Sequence, residues 1–423
     1  MVRDGGIVDE PDNQHSEEAS TPESDGSTTS APPNGTTGRK AAIVTARSAL
    51  VLLSVLVLAA TATGWATLDR LTDDMSTSKV LAQTAPDAPV SDDAATDILL
   101  VGSDSRTDAQ GNPLPLHVLK ELRTESTNGL NTDTLILVRV PHNGRAPTAV
   151  SIPRDTHVQM PAGRSEKVNA IYGLAKRRTA ERLEADGVTD PDRVERESNL
   201  AGQRALVRSV QTLVGARIDH YAEVNLLGFY EFTEAIGGVE VCLKRATSDK
   251  DSGADFAAGR QTIRGGDALA FVRQRHGLPR GDLDRIVRQQ VFMASLANEV
   301  LSSGTLTDSA KLQDLMAAAT RSVVLDEDWD ITGFAQQMQG LAAGNVKFVT
   351  IPVVDATARN DRGQSIVSVD RSQVREFVAG LTAALAPTGD LGGPPLLRLD
   401  GSVRQQQPDP APPISSTGIP CVN

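Results

Sequence analysis

DILLVGSDSR, residues 97–106, is a short apolar run that breaks into Gly-Ser-Asp-Ser-Arg. A run this short, bounded by turn formers, reads as a buried strand beginning at Asp97. Its exit carries Asp104 and Arg106. NTDTLILVRV, residues 131–140, has the reverse layout, with Asp133 at the entrance of a strand over 134–140. TAVSI, residues 148–152, is a third strand, and His142-Asn143-Gly144-Arg145 before it is a hairpin-like turn signal. If the first two strands run antiparallel, Asp104 and Asp133 meet at one sheet edge.

Helical and extended patterns then alternate. Residues 192–214 are helical, with Leu206, Val210 and Leu213 on one stripe. A strand is expected over 218–224, a helix over 226–236 closed by Gly237-Gly238, and a strand over 239–243. A long helix from about Asp282 carries Leu283, Ile286, Val287, Val291 and Ala294 on its apolar face. Helices over 333–341 and 374–385 and a strand over 346–353 complete the domain. This mixture predicts an α/β fold, a layered α-β-α sandwich on a mixed, largely antiparallel central sheet.

The chain has 423 residues and a formal charge of −12, which argues against a nucleic-acid partner. Residues 1–47 open on a Ser/Thr/Pro/Gly-rich stretch and read as a disordered tail. Residues 48–68 are 21 residues without a charge. As a helix they span roughly 30 Å, one hydrocarbon core. Arg39, Lys40 and Arg47 precede them, and Asp69 and Asp73 follow. The expected topology is a single-pass signal anchor in the cell membrane, with a cytoplasmic N-terminus and an extracellular catalytic domain. A cleaved signal peptide is disfavoured by the long polar stretch before the span. Residues 69–94 read as a linker, 95–303 as the catalytic domain and 304–386 as its completion. Residues 387–423 read as an extended or disordered tail. Cys242 and Cys421 are the two cysteines. A disulfide between them and two unpaired thiols are both open readings.

Between Arg260 and Arg288 lie seven arginines (260, 264, 273, 275, 280, 285 and 288), no lysine and three acids, Asp267, Asp282 and Asp284. Guanidinium forks match phosphate oxygens bidentately and stay charged at any working pH. Arg273 and Arg275 share a face if the chain is extended there. Arg285, Arg288 and Gln289 share one face of the following helix, in its first turns, where free N–H groups favour an anion. Arg154, Asp155 and Lys167 follow the third strand and add charge at the same edge. Asp104 and Asp133 suit a hard cation such as Mg²⁺ (or Mn²⁺), which takes one or two carboxylates together with substrate phosphate. A Gly-x-Ser-x-Gly elbow, a His-Glu-x-x-His pair and a P-loop are all missing from the sequence. Val, Leu, Ile and Phe over 213–241 are candidates to line a groove for an apolar tail, though plain core explains most of them.

These segments, with SIPRDTHV, KVNAIY, IDHYAEVNLLGF, AIGGVEVC and FVRQRHGLPRGDLDRIVRQQ, occur in the order found in the LytR-CpsA-Psr family of cell-wall ligases, which the chain resembles over about residues 95–300. The resemblance implies Mg²⁺-dependent transfer of a glycopolymer from a polyprenyl-pyrophosphate carrier to peptidoglycan at the outer surface of the bilayer. It implies metal binding by Asp104 and Asp133. It implies pyrophosphate contacts from Arg154, Arg273, Arg275, Arg285, Arg288 and Gln289, with Arg106 and Lys167 close by. Asp155 and Asp284 become supporting groups or bases. Asn131 stands where many members have Arg. Residues 176–196 look like a charged insertion. A polyprenyl-pyrophosphate phosphatase would use the same residues, and a non-catalytic membrane-anchored regulator is the alternative from another class.

Overall fold

The structure, a computed structural model, describes residues 75–82, 89, 94–124, 130–160, 164–300, 308–327, 329–330, 346–382, 414–415 and 420–423. They belong to a unit running from Ala66 to Asn423. The disordered tail, the membrane span and the helix over 333–341 fall outside these residues. Among the described residues, no helix is long and apolar enough to cross a membrane.

The strands, in chain order, are β1 (Ser76–Ser78), β2 (Ala95–Ser103), β3 (Thr132–Pro141), β4 (Thr148–Ser151), β5 (His157–Gln159), β6 (Ser165–Lys167), β7 (His220–Val224), β8 (Val239–Leu243), β9 (Thr247–Asp249), β10 (Ala254–Phe256), β11 (Gly259–Ile263), β12 (Val323–Asp326), β13 (Lys347–Thr350) and β14 (Ile414–Ser415). The helices are α1 (Leu116–Glu121), α2 (Val168–Ala185), α3 (Pro191–Val214), α4 (Leu226–Ala235), α5 (Gly265–Arg273), α6 (Asp282–Val300), α7 (Ser309–Ser322) and α8 (Arg371–Gly380).

Eight strands form the central sheet in the order β1-β12-β7-β2-β3-β4-β13-β14. β2 and β3 pair antiparallel, as do β3 and β4 across the expected hairpin. The pairs β1/β12, β2/β7 and β4/β13 are parallel. The sheet is therefore mixed, and less dominated by antiparallel pairs than the hairpin signal suggests. The parallel partners β7 and β13 each return through helices, which short apolar runs in the sequence do not reveal.

Side chains alternate across the strands and divide the molecule into two layers. Leu99, Leu135, Leu137, Val150 and Tyr221 face α2, α3 and α8, and pack there with Ile171, Leu206, Val210 and Val374. Leu100, Ile136 and Val224 face the other way, toward α4 and α6. One charge pair lies inside the sheet: Arg139 donates to Asp97 at 2.7 Å, with both side chains almost fully buried.

Three expectations are corrected. Residues 176–196, read as a charged insertion to which no structure was assigned, form the close of α2 and the start of α3. Asp190 caps α3 by accepting from the Asp192 N–H, Pro191 occupies the first helical position, and Lys176 joins the two helices through Glu195 at 2.6 Å. The stretch read as a linker supplies β1, which pairs with β12 at the sheet edge. The stretch read as an extended tail supplies β14, which pairs with β13, and its end is fixed by a disulfide between Cys421 and Cys242. That crosslink decides between the two open readings of the cysteines.

Candidate active site

Antiparallel pairing of β2 with β3 places Ser103 opposite Thr132, so the strand exit and the strand entrance share one edge. A bulge between Gly102 and Ser103 turns the chain there. Gly102 sits in a tight spot: a Cβ on it would stand 3.0 Å from the Thr134 Cβ, close enough to push that side chain aside. Asp104 Oδ1 then accepts the Asn131 backbone N–H at 2.5 Å. Asp133 Oδ1 accepts from the Arg154 guanidinium at 2.7 Å. Burial raises the Asp104 pKa; the Asn131 N–H opposes this, and the charge of Asp133 raises it further.

Both aspartates line the mouth of a cavity of about 570 Å³. Arg154, Arg273, Arg275, Arg285 and Gln289 also line it. Arg273 closes α5, where the negative end of the helix dipole favours a cation. Its guanidinium donates to the Leu122 carbonyl at 3.2 Å. Burial lowers the Arg273 pKa, and Asp133 and Asp104 offset part of that. Gln289 donates to the Val272 carbonyl at 3.2 Å, which ties α6 to α5 beside the mouth. Behind the mouth the wall is apolar, with Leu226, Phe229 and Phe232 from α4, Leu269 and Val272 from α5, and Phe292, Leu296 and Val300 from α6.

Other expected site residues stand differently. The extended reading of Arg273 and Arg275 fails, because Arg273 is the last residue of a helix and the chain extends only at Gln274. Arg288 does not line the cavity. Residues 285 and 289 fall about 40° apart around a helix, whereas 288 falls about 100° from 289. Arg288 is therefore turned toward α5, where it is fully buried. Asp284 is buried and holds Arg280, accepting its side chain at 2.7 Å and its backbone N–H at 3.0 Å. It anchors the start of α6 and does not line the cavity. Asp155 lies behind the mouth and collects Lys167 at 2.9 Å, Arg275 at 3.7 Å and Arg154 at 3.8 Å. Three cations hold that carboxylate, which suits the positioning of arginines better than proton transfer. Lys167 thus reaches the site through Asp155. Arg106 donates to the Thr124 carbonyl at 3.0 Å and lies close enough to act on the charges of Asp104 and Arg273. Arg260 and Arg264 form ordinary ion pairs with Glu240 and Glu234.

The donor set at Asp104 and Asp133 fits a hard divalent cation. Two carboxylates converge on one mouth, and the Asp104 pKa is raised first by burial and then by the charge of Asp133, both of which a divalent cation would relieve. Asn131, singled out in the sequence because many family members have Arg there, contributes its backbone N–H to Asp104. Sequence reasoning passed over Asp249 and Asp251, which gather with His276 at the rim, their ligand atoms within 4.8 Å of one another. His276 Nδ1 lies 3.1 Å from an Asp251 carboxylate oxygen and 3.7 Å from one of Asp249.

Comparison with known proteins agrees with this architecture. The chain is 50% identical over 331 residues to the cell wall biosynthesis protein LcpA of Corynebacterium glutamicum, covering 78% of this chain and 62% of that protein. It is 31% identical over 199 residues to the polyisoprenyl-teichoic acid–peptidoglycan teichoic acid transferase TagU of Oceanobacillus iheyensis, covering 47% of this chain and 54% of that protein. The matched regions thus span little more than half the length of these relatives. Among solved structures, protein gbs0355 of Streptococcus agalactiae shares the fold at a TM-score of 0.50 and 19% identity, covering 68% of this chain and 87% of that one. The sequence profile of the LytR_cpsA_psr family matches residues 55–382, and the chain belongs to that family.

Proposed function

We propose that the chain transfers a glycopolymer from a polyprenyl-pyrophosphate carrier to peptidoglycan at the outer surface of the cell membrane, held there by residues 48–68. The observation that carries the reading is the two-part cavity. An apolar chamber opens at a mouth where Arg154, Arg273, Arg275 and Arg285 gather beside Asp104 and Asp133. An amphiphile with a multiply charged anionic head suits that shape: tail in the chamber, phosphates at the arginines.

Asp104 and Asp133 would hold Mg²⁺ or Mn²⁺, which supplies charge neutralisation at the phosphate oxygens. Arg273 and Arg275 bind the pyrophosphate and orient its phosphorus toward the acceptor. Arg154, braced by Asp133 and Asp155, offsets charge that grows on the leaving phosphate. An acceptor hydroxyl forms a new P–O bond to the glycan-side phosphorus as the P–O–P bridge breaks. The products are a phosphodiester-linked glycan and polyprenyl phosphate. The hydroxyl proton leaves to solvent or to the departing phosphate, since Asp155 and Asp284 are already engaged by cations.

The test is to incubate the full chain in detergent with a polyprenyl-pyrophosphate oligosaccharide, peptidoglycan and MgCl₂. The expected result is glycan covalently bound to peptidoglycan, with one polyprenyl phosphate released per transfer and loss of both in EDTA. Release of free phosphorylated glycan with no peptidoglycan adduct would assign hydrolysis instead. Release of neither would leave a binding protein.

A further inference from the structure

Arg288 presents a puzzle that the proposed chemistry does not use. Its side chain is fully buried, and among the described residues its Nη2 has no hydrogen-bond partner. Burial pulls its pKa down to about 10, so it remains charged at neutral pH. A buried, incompletely satisfied arginine is a poor choice for stability alone, because an apolar residue of similar volume would do as well or better. Its retained contacts are geometric. Nη1 donates to Gln274 Oε1 at 2.6 Å, Nε donates to the main-chain oxygen of Asn423, and the guanidinium lies 5.0 Å from the centre of the Phe271 ring.

Gln274 is the residue between Arg273 and Arg275, and it is also fully buried. Besides accepting from Arg288, it donates to Thr247 Oγ1 at 2.6 Å and to the His276 carbonyl at 2.9 Å. It is therefore pinned where α5 gives way to extended chain, the point that sets how far apart and in which directions its two neighbours emerge. Asn423, on the other side of Arg288, is equally fixed. The preceding Val422 is buried, donates its N–H to the Cys242 carbonyl at 2.9 Å and accepts from the Lys244 N–H at 2.8 Å, and Cys421 is bonded to Cys242.

We infer that residues 421–423 form a strap that acts through Arg288 and Gln274 as a positioning device for the Arg273–Arg275 pair. This strap, whose Asn423 is 148 positions downstream of Arg275 in sequence, supports the phosphate site from behind without lining the cavity. Arg288 and Gln274 are positioning residues that need not touch substrate. The consequence for phosphate binding rests on the proposed function; the consequence for local order does not.

The experiment follows both on the full chain in detergent, using wild type, Arg288→Met, a chain lacking 421–423, and the two changes combined. Hydrogen exchange reads local order without any ligand. The expected result is exchange at least about tenfold faster at residues 272–277 in either single variant, while α2 and α3 keep wild-type protection. Calorimetric titration with a short polyprenyl pyrophosphate reads the second effect. Each single variant is expected to bind about tenfold more weakly, and the combined variant no more weakly than either, because both cut one relay. Arg288→Lys, which keeps the charge but cannot span both partners, serves if Arg288→Met does not fold, and should match the strap deletion. Unchanged exchange at 272–277, exchange accelerated throughout the domain, or multiplied binding losses in the combined variant would overturn the inference. A wild-type chain that fails to bind the lipid while the exchange result holds would instead count against the proposed function alone.

Discussion

The two faces of the central sheet are built from alternate residues of the same strands, yet one is filled and the other is hollow. On the face toward α2, α3 and α8, Leu99, Leu137 and Tyr221 meet Ile171, Leu206 and Val210, and all are fully buried. On the face toward α4 and α6, Leu100, Ile136 and Val224 look into a chamber of about 570 Å³. A chamber that size forgoes the dispersion contacts a packed core would gain. The difference teaches that stability and binding are divided between faces. The filled layer supplies the packed core behind the sheet, and the hollow layer leaves apolar surface that the proposed function assigns to a lipid tail.

The largest break in that comparison is expected at the mouth. Arg273→Ala removes a charge that the proposed function aims at the phosphates and should lower transfer by about 100- to 1,000-fold in the assay above, the scale set by loss of one positioned electrostatic donor. Circular dichroism should show the fold intact. Next come volume changes on the two faces. Ile171→Ala opens a hole in the filled layer and should cost about 2–5 kcal/mol in urea unfolding. Leu296→Trp on the hollow side should change stability by less than about 1 kcal/mol and abolish binding of the lipid tail. Equal losses of stability at both positions would erase the distinction between the faces.

Reduction of the Cys242–Cys421 bond should cost about 2–4 kcal/mol of stability, read as a lower denaturation midpoint in dithiothreitol. The smallest effect concerns pH. Burial and Asp133 hold the Asp104 pKa above 3.8, so the folded chain binds that proton more tightly than the unfolded chain. Stability without metal therefore falls as pH rises from about 3.8 through the raised value, and the loss is complete at neutral pH. Asp104→Asn removes the penalty and should raise the melting temperature at pH 7 by on the order of 1–2 °C, while weakening divalent-cation binding.

The strands that carry the site were legible because each combines an apolar run with a polar exit or entrance, as in Asp97–Arg106 and Asn131–Val140. The turn at 142–145 announces the β3–β4 hairpin, whereas the antiparallel pairing of β2 with β3 that brings Asp104 to Asp133 stood only as a condition, which the fold meets. What the sequence hid was mostly long-range. The parallel partners β7 and β13 carry no local mark of whom they pair with. α2 escaped notice because its 18 residues are rich in Arg, Lys and Glu and its apolar stripe is thin. Helical phase decided the arginines: Arg285 and Gln289 reach the cavity, whereas Arg288 turns inward. Asp284 and Asp155 looked equally chemical, yet their roles depend on Arg280, Lys167 and Arg275, which only folding brings beside them. The last residues read as a loose tail because a three-residue strap has no periodicity to detect.

The central claim is that the hollow face receives an apolar chain whose anionic head sits at the arginines. Its most direct test is to compare, by calorimetric titration of the full chain in MgCl₂, inorganic pyrophosphate with a pyrophosphate bearing a chain of four isoprene units. Burial of that tail should tighten binding by at least about 100-fold, roughly 3 kcal/mol, and Leu296→Trp should remove the gain while sparing inorganic pyrophosphate. Equal affinities for the two ligands in the wild-type chain would contradict the account.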